Sequence, residues 1–272
     1  MNVLVTGGSG MVGTALMDHL GGYEFSVVDV EEHPDYPTQV ASVADYDAIR
    51  PAFDGQDAVI HLAVYPPGIE DENWERMRAV NIQGTYNVLD ACREAGVPKV
   101  IFASTNHVVG MYEEELAPEI YQPDTEFVID HTTPVRPDSY YAVTKLFGEH
   151  LGRFQVEAKS APDQFYALRI CTLFGEEYDH PYGLAERAVD HGEVERGSAE
   201  YEILGKRMKA MWFSRRDCAQ MVDRMLEDDS ISFDIFYGVS ANGTRFHDIE
   251  HARKHLGYEP RDDGTEWDGP PG

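Results

Sequence analysis

An apolar run, Asn2-Val3-Leu4-Val5, leads directly into Thr6-Gly7-Gly8-Ser9-Gly10-Met11-Val12-Gly13, and this placement constrains the chain more than any other feature. A strand ending near Thr6 delivers the backbone to a turn too tight for a β-carbon. Glycines at 7, 10 and 13 then let a pyrophosphate approach the amides at a helix N-terminus. The first gap is one residue longer than in the commonest form of the pattern. Taken alone, the glycines also fit an ordinary strand-turn-helix connection. A second apolar run, Phe25-Ser26-Val27-Val28, ends in Asp29, where a strand-end carboxylate accepts hydrogen bonds from an adenosine ribose. The following Val30-Glu31-Glu32-His33 offers no arginine or lysine for a 2'-phosphate, and its carboxylates repel one. NAD is therefore predicted over NADP.

Short apolar runs alternate with helical patterns along the rest of the chain. Strands are predicted near residues 2 to 6, 25 to 28, 57 to 61, 99 to 103 and 165 to 170. Helices are predicted over Met11 to Leu20, from an Asp45 cap, from Trp74 to Ala95, and from Ser139 onward, where Glu149 and Arg153 are placed to pair across one turn. Residues 113 to 138 read as a long polar segment. The alternation predicts an α/β fold, a doubly wound parallel sheet of the Rossmann type, with a small C-terminal substrate lobe. Residues 1–170 are assigned to the dinucleotide-binding domain and 171–272 to the lobe. In the lobe, helices are predicted over Tyr182 to His191, Asp217 to Leu226 and His247 to Leu256. A strand at Phe233 to Tyr237, within 232–238, is placed to rejoin the main sheet. Residues 262–272 carry few anchors and are expected to fray.

The 272 residues contain 49 Asp and Glu against 22 Lys and Arg, a formal charge of −27. Such a surface repels nucleic acid and anionic membrane, and its spread along the chain suits high cytoplasmic salt, where screening weakens self-repulsion. Cys92, Cys171 and Cys218 show no paired spacing, and the eleven histidines no ligand pattern, so neither a disulfide framework nor a metal site is predicted. No stretch has the pattern of a signal peptide or the length of a bilayer span, and a cytoplasmic location is expected.

Tyr141 and Lys145 stand four residues apart, which puts both on one helical face. A nearby ammonium favours the phenolate and makes a positioned base of tyrosine, although this spacing is also common as surface decoration. Tyr140 is the neighbouring alternative and points elsewhere. Ser104-Thr105-Asn106-His107 follows the fourth strand, where such a sheet opens its ligand crevice. Thr105 is suited to a substrate hydroxyl, and Asn106 and His107 to sugar contacts or to loop capping. Met208, Met211, Trp212 and Phe213 read as packing or as a lid. Arg215, Arg216 and Asp217 read as lobe anchors or as solvated surface.

Through the loop at 6 to 13, His61-Leu62-Ala63, Asn81, Ser104-Thr105 and Tyr141-Ala142-Val143-Thr144-Lys145, nearly the whole chain resembles the extended short-chain dehydrogenase/reductases. Phe102 to Gly110 and Trp212-Phe213-Ser214 most resemble their uronate dehydrogenase branch, which oxidises the anomeric carbon of a sugar acid with NAD to a lactone. The resemblance implies Tyr141 as base, with Lys145 and Thr105 as its catalytic partners. It places Gly7, Gly10, Met11, Val12, Gly13, Asp29, Leu62, Ala63, Val64, Asn81, Ala103, Tyr141, Lys145 and Ile170 against NAD. Thr105, Asn106, His107, Tyr141 and Cys171 are placed against the sugar, with Asn81 partly structural. A homo-oligomer is the family expectation.

Two departures bear on substrate. That branch is expected to place an arginine after the strand at 165 to 170 to pair with the sugar carboxylate, and Gly183 occupies its place. Pro66 stands where a small hydroxyl residue is expected. Without a guanidinium, desolvation of a carboxylate is poorly offset, which favours a neutral aldose such as L-arabinose or a galactose-like sugar. Arg187, four residues on, is positioned to rescue acid binding if its loop shifts. A uronate is the alternative substrate. A nucleotide-sugar epimerase or dehydratase is a further alternative, and a cofactor-binding regulator without catalysis another.

Overall fold

The computed structural model describes residues 1–65, 73–123, 125–159 and 161–271. Within them the chain runs β1 (Asn2–Thr6), α1 (Met11–His19), β2 (Glu24–Asp29), β3 (Thr38–Val40), α2 (Tyr46–Ile49) and β4 (Ala58–His61). It continues through α3 (Trp74–Met77), α4 (Thr85–Ala95), β5 (Lys99–Thr105), α5 (Gly110–Leu116), α6 (Tyr140–Phe154) and β6 (Gln164–Ile170). The last elements are α7 (Gly183–Asp190), α8 (Ala199–Met211), α9 (Arg215–Glu227), β7 (Phe233–Gly238) and α10 (Glu250–Leu256). Seven described strands form one sheet, in the order β3-β2-β1-β4-β5-β6-β7. Every pairing is parallel, from Val27 beside Thr38 at one edge to Phe165 beside Phe233 at the other.

A parallel sheet covered on both faces needs apolar side chains on both, and β5 (KVIFAST) is buried along its whole length. One face packs Val3, Val5, Ile60 and Tyr166 with α1 and α9. The opposite face packs Leu4, Val59, Val100 and Phe102 with Val88 and Leu89 of α4. α6 closes against that face. A β-carbon at Gly148 would stand 2.3 Å from the Phe102 ring, so glycine sets the depth at which this helix lies on the sheet. The order reverses at β1, so β1 and β4 diverge into a crevice at their carboxyl ends.

Several expectations are revised. Glu149 does not pair with Arg153. It faces the sheet and takes Arg169 in an ion pair with both side chains at most 3% exposed, while exposed Arg153 pairs with Glu157. The helix from Trp74 is interrupted by a π segment at Arg78–Gly84. The polar segment at 113 to 138 contains the rest of α5, which ends in a 3₁₀ turn at Glu119–Tyr121 whose Ile120 and Tyr121 are buried. The strand β3 and helix α8 carry weak signals, the first only three residues long and the second broken by charges.

The described C-terminal residues are anchored, not frayed. Asp262 accepts from Ser214 at 2.5 Å and from Arg216, Asp263 caps a 3₁₀ turn, and Trp267 packs on His180 and Trp212. Aromatic burial and backbone capping supply the anchors that composition hides. Arg215 reaches Asp18 and ties α9 to α1, and Asp217 accepts the amides of Arg261 and Asp262, which ties the C-terminal segment to α9. Met208, Met211, Trp212 and Phe213 are buried as packing.

Candidate active site

The turn after β1 is built for close approach. Gly7 has φ of +75°, and a β-carbon there would lie 2.6 Å from the Ala63 amide nitrogen. One at Gly13 would lie 2.2 Å from the Gly8 carbonyl oxygen. The N-cap of α1 is Gly10, no side chain caps its first turn, and no acidic residue occupies it, so the first amides face the crevice. Asp29 at the end of β2 accepts from the Ser9 amide at 2.9 Å and from the Val30 amide at 2.7 Å. The Ser9 hydroxyl is buried without a partner. An uncapped helix start, a glycine cradle and an orphaned hydroxyl beside a strand-end carboxylate fit a dinucleotide.

These groups line one cavity of about 690 Å³. Of the residues singled out in the sequence, Gly7, Gly10, Met11, Val12, Gly13, Asp29, Leu62, Ala63, Val64, Ala103, Thr105, Asn106, His107, Tyr141, Lys145, Ile170 and Cys171 all line it. Asn81 does not. It is 3% exposed, accepts from the Tyr65 amide at 2.7 Å, and donates to the Tyr65 carbonyl and the Thr144 hydroxyl. Ser9, Glu31 and Ser104, which stand in the quoted motifs, line the cavity too, as do Ser42 and Tyr65. Ser42 follows the unread strand β3.

Ser139 caps α6 by accepting the Ala142 amide, and this start aims the next turn at the carboxyl end of β5. Tyr141 and Thr105 line the same wall of the cavity, and Thr105 pulls the phenol pKa down. Thr105 Oγ1 accepts the His107 amide at 3.2 Å. His107 Nδ1 meets the Asp138 carboxylate at 2.6 Å, and its ring stands edge-on to Tyr141 at 6.3 Å. Tyr140 is exposed and leans on Trp74, away from the cavity.

Burial dominates the protonation of the pair. It pushes Tyr141 up to about 12, against the smaller pull of Thr105, and pushes Lys145 down to about 7. The expected lowering of the phenol by the ammonium is not found. Lys145 Nζ donates to the Ala103 carbonyl at 2.6 Å and lies over the Phe102 ring, deep in the wall. Cys171 is a half-buried thiol pushed well up by desolvation and by Glu113.

Toward the lobe, Gly183 is held by close packing. A β-carbon there would lie 2.0 Å from the Tyr178 carbonyl oxygen, so an arginine has no room on this backbone. Arg187 is exposed, lies over the Phe174 ring and does not line the cavity. Arg207, which sequence reading passed over, is closer in effect. Its charge bears on Cys171, but Glu113 holds it through contacts of 2.7 and 3.3 Å, and Tyr121 donates to the same carboxylate. Pro66 lies outside the described residues. Among the described residues no group of histidines, cysteines and carboxylates is arranged to hold a metal, and no helix is long and apolar enough to cross a membrane.

A family model described as "NAD dependent epimerase/dehydratase family" matches residues 3–236. The chain is 34% identical to an NAD-dependent glucose-6-phosphate dehydrogenase of Haloferax volcanii, covering 97% of this chain and 95% of that one. It is 32% identical to an L-arabinose 1-dehydrogenase (NAD(P)(+)) of the same organism, covering 97% of each. Among solved structures, a mutated uronate dehydrogenase superposes with a TM-score of 0.76 at 26% identity, covering 98% of this chain and 83% of that one. The chain therefore belongs to the NAD-dependent epimerase/dehydratase family of extended short-chain dehydrogenase/reductases, whose cofactor is NAD.

Proposed function

We propose that this protein is an NAD-dependent sugar dehydrogenase that oxidises the anomeric carbon of a free sugar acid to its lactone. The observation that carries this reading is that Tyr141, Lys145 and Thr105 share the wall of the cavity that also contains the glycine loop and Asp29. Resemblance to uronate dehydrogenases in sequence and structure supports the acid over the neutral aldose that the missing arginine first suggested. A neutral aldose is the second reading. It is supported by the L-arabinose relative and by a cavity lining in which Lys145 is, among the described residues, the one lysine or arginine, while Glu113 occupies Arg207.

When bound, NAD supplies the acceptor for the hydride that leaves the anomeric carbon. Tyr141 takes the hydroxyl proton, and Thr105 donates a hydrogen bond that steadies the phenol oxygen. Lys145, anchored by Ala103, orders the cofactor side of the wall and supplies a charge that assists ionisation of the phenol. Leu62, Ala63 and Val64 line the cavity and would stand on the nicotinamide side of a bound cofactor, and Asp29 would take its adenosine ribose. Asn106, His107 and Cys171 line the cavity and would face the sugar, with the part of residues 171–272 outside β7 and α9 serving as its lobe. Exposed Tyr86, Val143 and Phe154 on α4 and α6 support a homo-oligomer.

A panel of uronates, neutral aldoses and sugar phosphates, assayed at high salt with NAD and NADP for NADH or NADPH formation, tests the reading. Turnover with uronates supports it, and preference for L-arabinose or galactose selects the second. Bound NAD with no net NADH across the panel returns the epimerase or regulatory alternatives.

A further inference from the structure

His61 ends β4 with its ring 1% exposed, and each of its nitrogens meets one threonine: Nδ1 lies 2.7 Å from Thr6 Oγ1, and Nε2 lies 3.1 Å from Thr85 Oγ1. The partners fix the protons. The Thr85 hydroxyl donates to the Asn81 carbonyl one helical turn back, at 2.7 Å, so it turns a lone pair toward the ring and requires Nε2–H. Nδ1 is then bare and accepts the Thr6 hydroxyl, whose own lone pair takes the Ala63 amide in a long contact of 3.4 Å. The opposite tautomer would leave the buried Thr6 hydroxyl without an acceptor and draw the Thr85 hydroxyl away from Asn81. The charged ring is opposed by burial and by the Lys145 ammonium, which together push the imidazole down to about 3.

This directional chain joins parts of the site that no strand ladder joins. One end is Thr6, next to Gly7, together with the Ala63 amide in the cavity wall. The other is Asn81 in the π segment, whose side chain grips both backbone groups of Tyr65 and the hydroxyl of Thr144. Thr144 in turn donates to the carbonyl of Tyr141 at 2.7 Å. A π segment at this point fits a helix that gives up regular bonding to hold a site.

We infer that His61 is a positioning residue: held as the neutral Nε2–H tautomer, it sets the cofactor wall at residues 62 to 65 in register with the helix that carries Tyr141. The inference rests on the proposed role of Tyr141 as base. A buried network with every member satisfied rigidifies its surroundings, and small displacements between base and reacting carbon are costly to turnover.

The test has two arms. Imidazole nitrogen NMR of histidine-labelled protein, with His61 assigned by comparison with His61→Phe, is expected to show one proton, on Nε2, at neutral pH. A proton on Nδ1, or on both nitrogens, overturns the inference. In the second arm, Thr85→Val and His61→Phe are expected to lower kcat about tenfold while NAD affinity stays within about threefold, and His61→Gln, which still donates to Thr85, is expected to recover part of the loss. Folded variants that keep the parent kcat overturn it, whatever their melting temperatures. If His61→Phe does not fold, Thr85→Val and the NMR arm decide. A parent enzyme without turnover on any sugar would remove the Tyr141 reading, while the NMR arm would still judge the tautomer.

Discussion

The ammonium of Lys145 stands 5.7 Å from the centroid of the Tyr141 ring, yet its hydrogen bond goes to the Ala103 carbonyl. Both groups sit where water cannot solvate charge, and burial moves each toward its neutral form.

A pH dependence of stability follows. Lys145 falls from 10.5 to about 7 on folding, so between those values the unfolded chain binds more protons and stability rises with pH. Tyr141 rises from 10.0 to about 12, so over that window the folded chain holds more protons and stability falls as pH rises. Thermal melts of the cofactor-free protein are expected to show a gain above pH 7 that flattens in Lys145→Met. An unchanged gain in that variant would contradict the burial of an unpaired amine.

Replacing Tyr141 by phenylalanine removes the proposed base and leaves the glycine loop intact. Turnover is expected to fall about 10³-fold, within the range for general-base catalysis. NAD binding by calorimetry is expected to stay near the parent value. Near-parental oxidation would take the proton-acceptor role away from this residue.

At the adenosine end, Asp29 and Glu31 line the cavity beside Val30 and Ser42. A 2'-phosphate would be placed against carboxylates, so initial rates should give a lower KM for NAD than for NADP. Asp29→Ala should raise the KM for NAD about tenfold, comparable to losing charge-assisted hydrogen bonds, with a smaller effect on kcat. A lower KM for NADP would reverse the argument.

The Glu149–Arg169 pair is bidentate, fully buried and continued by Ser104 and Tyr237. Glu149→Gln alone is expected to destabilise by about 3–5 kcal/mol, because it strands a guanidinium, whereas replacing both partners with apolar residues costs less. Denaturant titrations at constant salt measure the difference. Equal losses in the single and double variants would mean the pair is not the source.

A formal charge of −27 on 272 residues repels itself when unscreened. Melting temperature and activity should fall together as salt is diluted from the molar range, where screening acts over about 3 Å, toward the millimolar range. Full activity at very low salt would disprove a salt-requiring shell.

Six of the seven described strands and the glycine turn after β1 were legible in the sequence. Strand and helix periods are local, and a glycine loop between β1 and α1 acts through contiguous backbone, so Gly7, Gly13 and Asp29 were legible in the order they fold. Tyr141 and Lys145 were legible because one helix turn brings them together.

Only the tertiary structure decided partners that lie far apart in sequence. Glu149 takes Arg169 across the sheet, not Arg153 on its own helix, because its face of α6 is buried. Gly183 is glycine because Tyr178 backbone leaves no space, a constraint set by a neighbouring turn. The protons on His61 are dictated by Thr6 and Thr85, residues 55 and 24 positions away, each with one geometry in which all its hydrogen bonds are made. Trp267 is anchored because an aromatic pocket exists only after α8 and the chain around His180 have packed. Burial and hydrogen-bond direction are properties of the assembled interior, and no local pattern encodes them.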